Sequence, residues 1–299
     1  MPFLMKIPAR LSVLKTSKLF IGGKFPRSES GRVMPAMGPN GSVLANVSRA
    51  SRKELRDAVS AARKAAEPWA GITAYLRSQI LYRFAEMLES RAAVLQTELA
   101  ATTGLSPREA AAECGIAIDT LTALAGWPDK LSQVLGSVNT VSGPYFSFTN
   151  PEPVGVTVLF APSIPALTAP VMLMGAALTA GNPCILIASE AHPILAMTLA
   201  EAIATSDIPA GVVNILTGNQ RELAPTAASH RDIDAIIDAT DGSDAALCTE
   251  LAAGSAENLK RVVAFRPNPA EWQTPAYLSQ PWLLGRIMEA KTTWHPTAL

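Results

Sequence analysis

Between Glu152 and Glu190 the chain carries no charged residue. The stretch Val154–Ser189 reads VGVTVLFAPSIPALTAPVMLMGAALTAGNPCILIAS, and few structures can hold such a run. A membrane span is one reading, since about 20 apolar residues cross a bilayer. Pro162, Pro165, Pro170, Gly181 and Pro183 cut the run into pieces too short to span. Lipid would also leave the freed backbone groups without partners. The better reading is a buried strand–helix–strand unit. Val154–Phe160 is β-branched and strand-like, Leu167–Thr179 is helical, and Cys184–Ala188 is a second strand. Buried parallel strands read as continuous apolar runs, and this order implies a parallel crossover.

The rest of the chain is consistent with that unit. Lys18–Phe25, KLFIGGKF, predicts two short strands around a Gly22-Gly23 turn. Ser51 and Glu54 form a capping box before a helix with Leu55, Val59, Ala62 and Ala66 on one face, ending at Pro68. A second helix is expected over Arg77–Leu99 and a third over Arg108–Ala125. Tyr145–Phe148 alternates like an edge strand, and Asn150-Pro151-Glu152-Pro153 reads as a turn into the central run. Beyond the run, helices are expected at His192–Ala204, Gln220–Ser229 and Ser243–Ala253. Strands are expected at Val212–Leu216, Ile233–Ile237 and Leu259–Phe265. Short strands alternating with helices indicate an α/β fold with a doubly wound, Rossmann-like, mostly parallel sheet behind a helical N-terminal region. After Arg266-Pro267-Asn268-Pro269 the alternation stops. Trp282–Ala290 reads as a short helix and Lys291–Leu299 as a terminal arm.

Composition narrows the function classes. The chain has 299 residues, with 25 basic and 25 acidic side chains, which argues against a general affinity for nucleic acid. Cys114, Cys184 and Cys248 lie far apart without CxxC spacing, and His192, His230 and His295 are scattered. Neither a disulfide framework nor a metal site is expected, and a reducing, cytoplasmic location fits. The first 28 residues hold six basic side chains, from Lys6 to Arg27, and no acid. They read either as a targeting segment or as a loosely held arm, the latter being the plainer account of a terminus.

Several segments resemble the cofactor-binding half of the aldehyde dehydrogenase superfamily. They are KLFIGGKF, YFSFTNPEPVGV, ALTAGNP, DIPAGVVNILTG, SHRDIDAI and AAGSAENLKR, spread from Lys18 to Arg261. TSDIPAGVVNILTGNQREL and MEAKTTWHP carry a finer likeness to the degenerate second copy of the long, two-copy family 16 members. The resemblance implies an N-terminal arm over 1–17 and a cofactor-binding unit over 18–265. Oligomerisation strands are inserted at 136–153, and a C-terminal helix and arm cover 266–299.

The resemblance also implies what is changed. Superfamily members form a thiohemiacetal on a cysteine in a second domain, which here is expected to be missing. Phe265 stands where the general-base glutamate would be, and Ser163 lies in the loop that carries the oxyanion asparagine. Ser163 could donate one hydrogen bond there, or be an ordinary loop serine. Glu190 matches an acidic residue that meets the adenosine ribose; alternatively it caps the helix beginning at His192-Pro193. Gly218 ends the DIPAGVVNILTG segment, and Gly242 is the surviving glycine of a GxxxxG turn whose second glycine is replaced by Leu247. Asp238, Asp241 and Asp244 crowd that turn. At about 6–8 Å and an effective dielectric near 20, each pair would repel by ~2–3 kcal/mol. NAD or NADP binding is therefore expected to be weakened. These features imply a non-catalytic pseudoenzyme acting as an assembly or regulatory subunit, pairing with itself or with a catalytic aldehyde dehydrogenase through the protruding strands. An NAD(P)-dependent aldehyde oxidoreductase completed by a partner subunit, and a nucleotide-binding module without chemistry, are the alternatives.

Overall fold

The computed structural model describes residues 13–297. The expectations for the first 12 residues lie outside the described part. Three short strands come first: β1 (Thr16–Ser17), β2 (Val33–Met37) and β3 (Val43–Ser48). Helices α1 (Arg52–Gly71), α2 (Ala74–Glu89), α3 (Ala92–Thr103), α4 (Pro107–Ala125) and α5 (Leu131–Leu135) follow. Strands β4 (Ser137–Asn139) and β5 (Tyr145–Pro153) lead into the alternating part: β6 (Thr157–Phe160), α6 (Thr168–Thr179), β7 (Cys184–Ile187), α7 (Pro193–Ala204), β8 (Val213–Leu216), α8 (Gln220–Ser229), β9 (Ala235–Asp238), α9 (Ala245–Ala256) and β10 (Arg261–Ala264). The chain closes with α10 (Pro275–Leu278), α11 (Pro281–Arg286) and β11 (Met288–Pro296).

Strands β6 to β10 form one parallel sheet in the order β10-β9-β6-β7-β8. Its two faces are sorted by the period of two that every strand imposes. Val158, Phe160, Ile185, Ile187 and Ile236 pack on Leu55, Val59 and Ala62 of α1 and on Leu223 and Leu251 of α8 and α9. Leu159, Leu186, Ile215 and Ile237 face the opposite layer, with Leu121 of α4, Leu173 of α6 and Leu199 of α7. All twelve residues of α6 are buried, which accounts for the uncharged run: this helix is covered on every side. Among the described residues no helix is long and apolar enough to cross a membrane.

Local chemistry moved several boundaries. α1 runs past Pro68 to Gly71, because the buried Arg77 guanidinium donates to the carbonyls of Trp69 and Ala70 at 3.3 and 3.2 Å. The single helix expected over Arg77–Leu99 is two, α2 and α3. At their junction the Ser90 hydroxyl bonds back to the Met87 carbonyl at 2.9 Å and competes with the helix ladder. The Gly22-Gly23 turn forms, with φ of 59° and 74°. Its flanks are isolated bridges rather than strands, and Phe20 pairs with Ile215 at the sheet edge.

The largest difference is at the second sheet. The Asn150–Pro153 segment is no turn: β5 continues through it and pairs antiparallel with β11 from Tyr145↔Pro296 to Pro153↔Met288. Residues 288–290, expected in the last helix, belong to β11. Prolines are tolerated there because every second residue of a strand directs its N–H away from a given neighbour. The resulting sheet, β11-β5-β4, stands apart from the parallel one and carries the exposed aromatics Tyr145, Phe146 and Trp294.

Candidate functional site

In a parallel sheet wound both ways from its first strand, a crevice opens beyond the carboxyl ends of the strands where the winding reverses. Here the reversal lies between β6 and β9. The four positions singled out above all fall on this carboxyl edge. Ser163 follows β6, Glu190 follows β7, Gly218 follows β8 and Gly242 follows β9.

Each has a definable role. Ser163 is exposed in the loop between β6 and α6. Glu190 does not cap α7, whose N-cap residue His192 makes no side-chain cap bond. It accepts instead from the Gln220 amide at 3.0 Å and from Asn219 Nδ2 at 3.1 Å, and so caps α8 while remaining exposed. Gly218 lies tight against Ala50: a Cβ there would meet that residue's backbone N and O at 3.2 Å. Gly242 has φ +78°, and a Cβ would come within 2.8 Å of Arg266 Nε.

Two residues at this edge were missed. Gln220 sends Nε2 to the carbonyl of Ala161 at 2.8 Å and towards that of Ile187 at 3.4 Å, tying the ends of β6 and β7 together. Arg266, just beyond β10, pairs with the buried Asp238 carboxylate, whose other oxygen takes the Thr240 hydroxyl at 2.6 Å. Neither had a local signal, since each acts on residues far away in sequence.

These contacts correct the expected repulsion. Asp238 is neutralised by Arg266, and Asp244 is paired with Arg221 while capping α9 at the Leu247 amide, 3.0 Å away. Asp241 bonds the Ser243 hydroxyl at 2.6 Å and holds its carboxyl below the usual range by that contact. Two of the three charges therefore have cationic partners, and the objection to an anion beside this turn loses most of its force.

The cysteines differ in access. Cys114 and Cys184 are buried, and burial pushes both thiols up. Cys248 is partly exposed and lies 3.3 Å from an Arg266 nitrogen, yet desolvation and the nearby Asp238 also push its thiol up. Phe265 is buried in an aromatic cluster with Trp272 and Trp282, at 5.5 and 5.6 Å between ring centroids. Beside the Ser163 loop opens a pocket of about 620 Å³, walled by α4, by Ile164 and Pro165, and by Trp272. Among the described residues no group of three or more His, Cys, Asp or Glu could hold a metal ion.

Fold and strand order together define a doubly wound α/β protein of the Rossmann-like class with a separate antiparallel sheet. The particular assignment is to the aldehyde dehydrogenase family, to which this chain belongs: the family's model matches residues 26–264. Aldehyde dehydrogenase 1A1 of Oryctolagus cuniculus is 32% identical over 263 residues, covering 86% of this chain and 52% of that protein. The putative aldehyde dehydrogenase DhaS of Bacillus subtilis is 34% identical over 243 residues, covering 78% and 48%. The solved NAD+ complex of an aldehyde dehydrogenase from Bacillus cereus is 28% identical and superposes with a TM-score of 0.76, covering 84% of this chain and 50% of that one. The chain spans about half the length of the curated relatives it matches.

These findings overturn the non-catalytic reading. The match is continuous through the parallel sheet, and the relatives are aldehyde dehydrogenases. The expected loss of the catalytic region in a degenerate copy is withdrawn, and with it the pseudoenzyme. The expectation that nucleophile and base are absent is withdrawn as well. Cys184 lies on β7, inside the matched segment, and is fully buried there.

Proposed function

We propose that this chain is an NAD(P)-dependent aldehyde oxidoreductase that works as an oligomer, with the carboxyl edge of the parallel sheet as its nucleotide site. The observation that carries the reading is the gathering of Ser163, Glu190, Gly218 and Gly242 on one edge, where Arg221 and Arg266 offset the local acids. The donor set fits a dinucleotide. The exposed Glu190 carboxylate would accept ribose hydroxyls, held in place by Asn219 and the Gln220 amide. Gly242 lets the backbone turn closely, and Arg266, paired with Asp238, stands beside it. A bound nicotinamide would supply the hydride acceptor for an aldehyde carbon to which water or a thiol has first added. Ser163 is placed in the loop that would face the carbonyl oxygen, and the neighbouring pocket would shield the rest of the aldehyde from water.

Assembly is assigned to the sheet β11-β5-β4. Among the described residues its outer strands present unpaired backbone edges, and exposed Tyr145, Phe146 and Trp294 supply apolar area for a second copy or a related subunit. Three free cysteines are consistent with a cytoplasmic setting.

The test is calorimetric titration with NAD and NADP, followed by aldehyde turnover monitored as reduced cofactor. Binding is expected in the parent protein. Gly242→Ala should weaken it about tenfold, because the added Cβ displaces Arg266 and strains the backbone. Absence of binding at millimolar cofactor, or absence of turnover in a preparation that binds it, would overturn the proposal.

A further inference from the structure

The parallel sheet has a second open end. At the amino ends of its strands lies a pocket of about 340 Å³, between the outer face of α1, at Arg63, Glu67 and Ala70, and the turns that enter β6 and β7, at Pro153 and Gly181. Strands β6 and β7 are four residues long, so about 13 Å of strand separates this pocket from the carboxyl edge.

Behind its wall sits the guanidinium of Arg77, a residue only 8% exposed. Nη2 donates to the carbonyls of Trp69 and Ala70 at 3.3 and 3.2 Å. Nε is buried without a partner among the described residues, and Nη1 has none there either. Burial alone shifts its pKa, downward, whereas a nearby carboxylate would raise it. A guanidinium stays protonated all the same. The carbonyl end of α1 carries about half a negative charge, which offsets only part of a full positive one. Trp69 lies under the group, its ring centroid 5.7 Å from Cζ, and its own Nε1 is another buried donor without an acceptor among the described residues.

Very little separates this charge from the pocket. Gly181 is part of the lining, and a Cβ there would come within 3.1 Å of Arg77 Cζ and Nη1. The charged groups of the lining are occupied elsewhere. Arg63 pairs with Asp234 at 2.6 Å, and Glu67 is exposed on the outer face of α1. A buried cation with unused donors behind an open pocket calls for an anion, since a neutral ligand would leave the charge uncompensated.

We propose that the amino end of the parallel sheet holds a second site, for a small oxyanion, with Arg77 as its counter-charge. Phosphate and carboxylate groups share the required chemistry, because both accept paired N–H bonds from a guanidinium. The site goes beyond the oxidoreductase reading and does not depend on it.

The experiment titrates inorganic phosphate and acetate separately into the full chain by calorimetry, with sodium chloride at matched ionic strength as the reference. Two charge-assisted bonds give an expected Kd of about 1 mM for the better ligand. The tighter of the two identifies the group as phosphate or carboxylate. Ala70 is exposed at the pocket and meets Arg77 only through its carbonyl, so its side chain can carry a test charge without disturbing the core. Ala70→Glu should weaken binding about threefold and Ala70→Lys should strengthen it about threefold, as a unit charge about 7 Å away does in a water-like dielectric. Arg77→Met should abolish binding; if that variant melts early, the Ala70 pair still decides. Saturating NAD should leave the oxyanion affinity unchanged, which separates this site from the carboxyl edge. Absence of binding at tens of millimolar, heats equal to those of chloride, equal affinities in the two Ala70 variants, binding that survives in a folded Arg77→Met protein, or displacement by NAD would overturn the proposal.

Discussion

Asn182 joins the start of the parallel sheet to the C-terminal strand. It is fully buried in the loop before β7. Its Oδ1 accepts from the Gly155 amide at 2.9 Å, and its Nδ2 donates to the Ile287 carbonyl at 2.8 Å, one residue before β11. Asn182→Leu keeps the approximate shape and removes both bonds. It leaves one N–H and one C=O buried without partners, each costing about 1–3 kcal/mol. The leucine returns part of this through apolar burial, so a net loss of about 2–4 kcal/mol is expected. Urea unfolding followed by near-ultraviolet circular dichroism measures the loss. Hydrogen exchange locates it: the amides of β11 should exchange faster, while those of α1 change only with global stability. The reasoning fails if the midpoint moves by less than ~1 kcal/mol equivalent, or if β11 keeps its protection, for then another contact holds the arm to the sheet.

Leu259 has φ +57° and is 91% exposed, so its side chain gains nothing from packing while its backbone is strained. Leu259→Gly should raise stability by up to about 1 kcal/mol, read as a higher melting temperature. Glu222 accepts from Arg32 and Arg49, each at 2.7 Å, and its carboxyl is held below the usual glutamate value by the Arg32 contact first. For an acid lowered on folding, the stabilisation is fully present above the ordinary value near 4.5 and is lost as the pH falls through the lower folded value. Glu222→Gln should therefore be less stable at pH 7 and show a shallower acid decline, measured by unfolding at pH 7, 5 and 3. Iodoacetamide should modify Cys248 in the folded protein and reach Cys114 and Cys184 only on unfolding, as intact mass spectrometry would show.

Much of the fold was legible because it is written in short-range patterns. A run without charge between Glu152 and Glu190, broken by prolines, leaves few options other than a buried strand–helix–strand unit, since no exposed arrangement could hydrate it. The capping box at Ser51 marks a helix start with bonds that span three residues. Ser163, Glu190, Gly218 and Gly242 were singled out by the family resemblance, and the order of elements puts each of them after a strand. Tertiary structure decided the rest. Glu190 caps α8 rather than α7, and Arg221 and Arg266 quench the acids of the Gly242 turn. β5 runs on through its prolines because β11, more than a hundred residues later, lies beside it. Long-range pairing of this kind depends on where a folded backbone returns, and local propensity holds no information about that return.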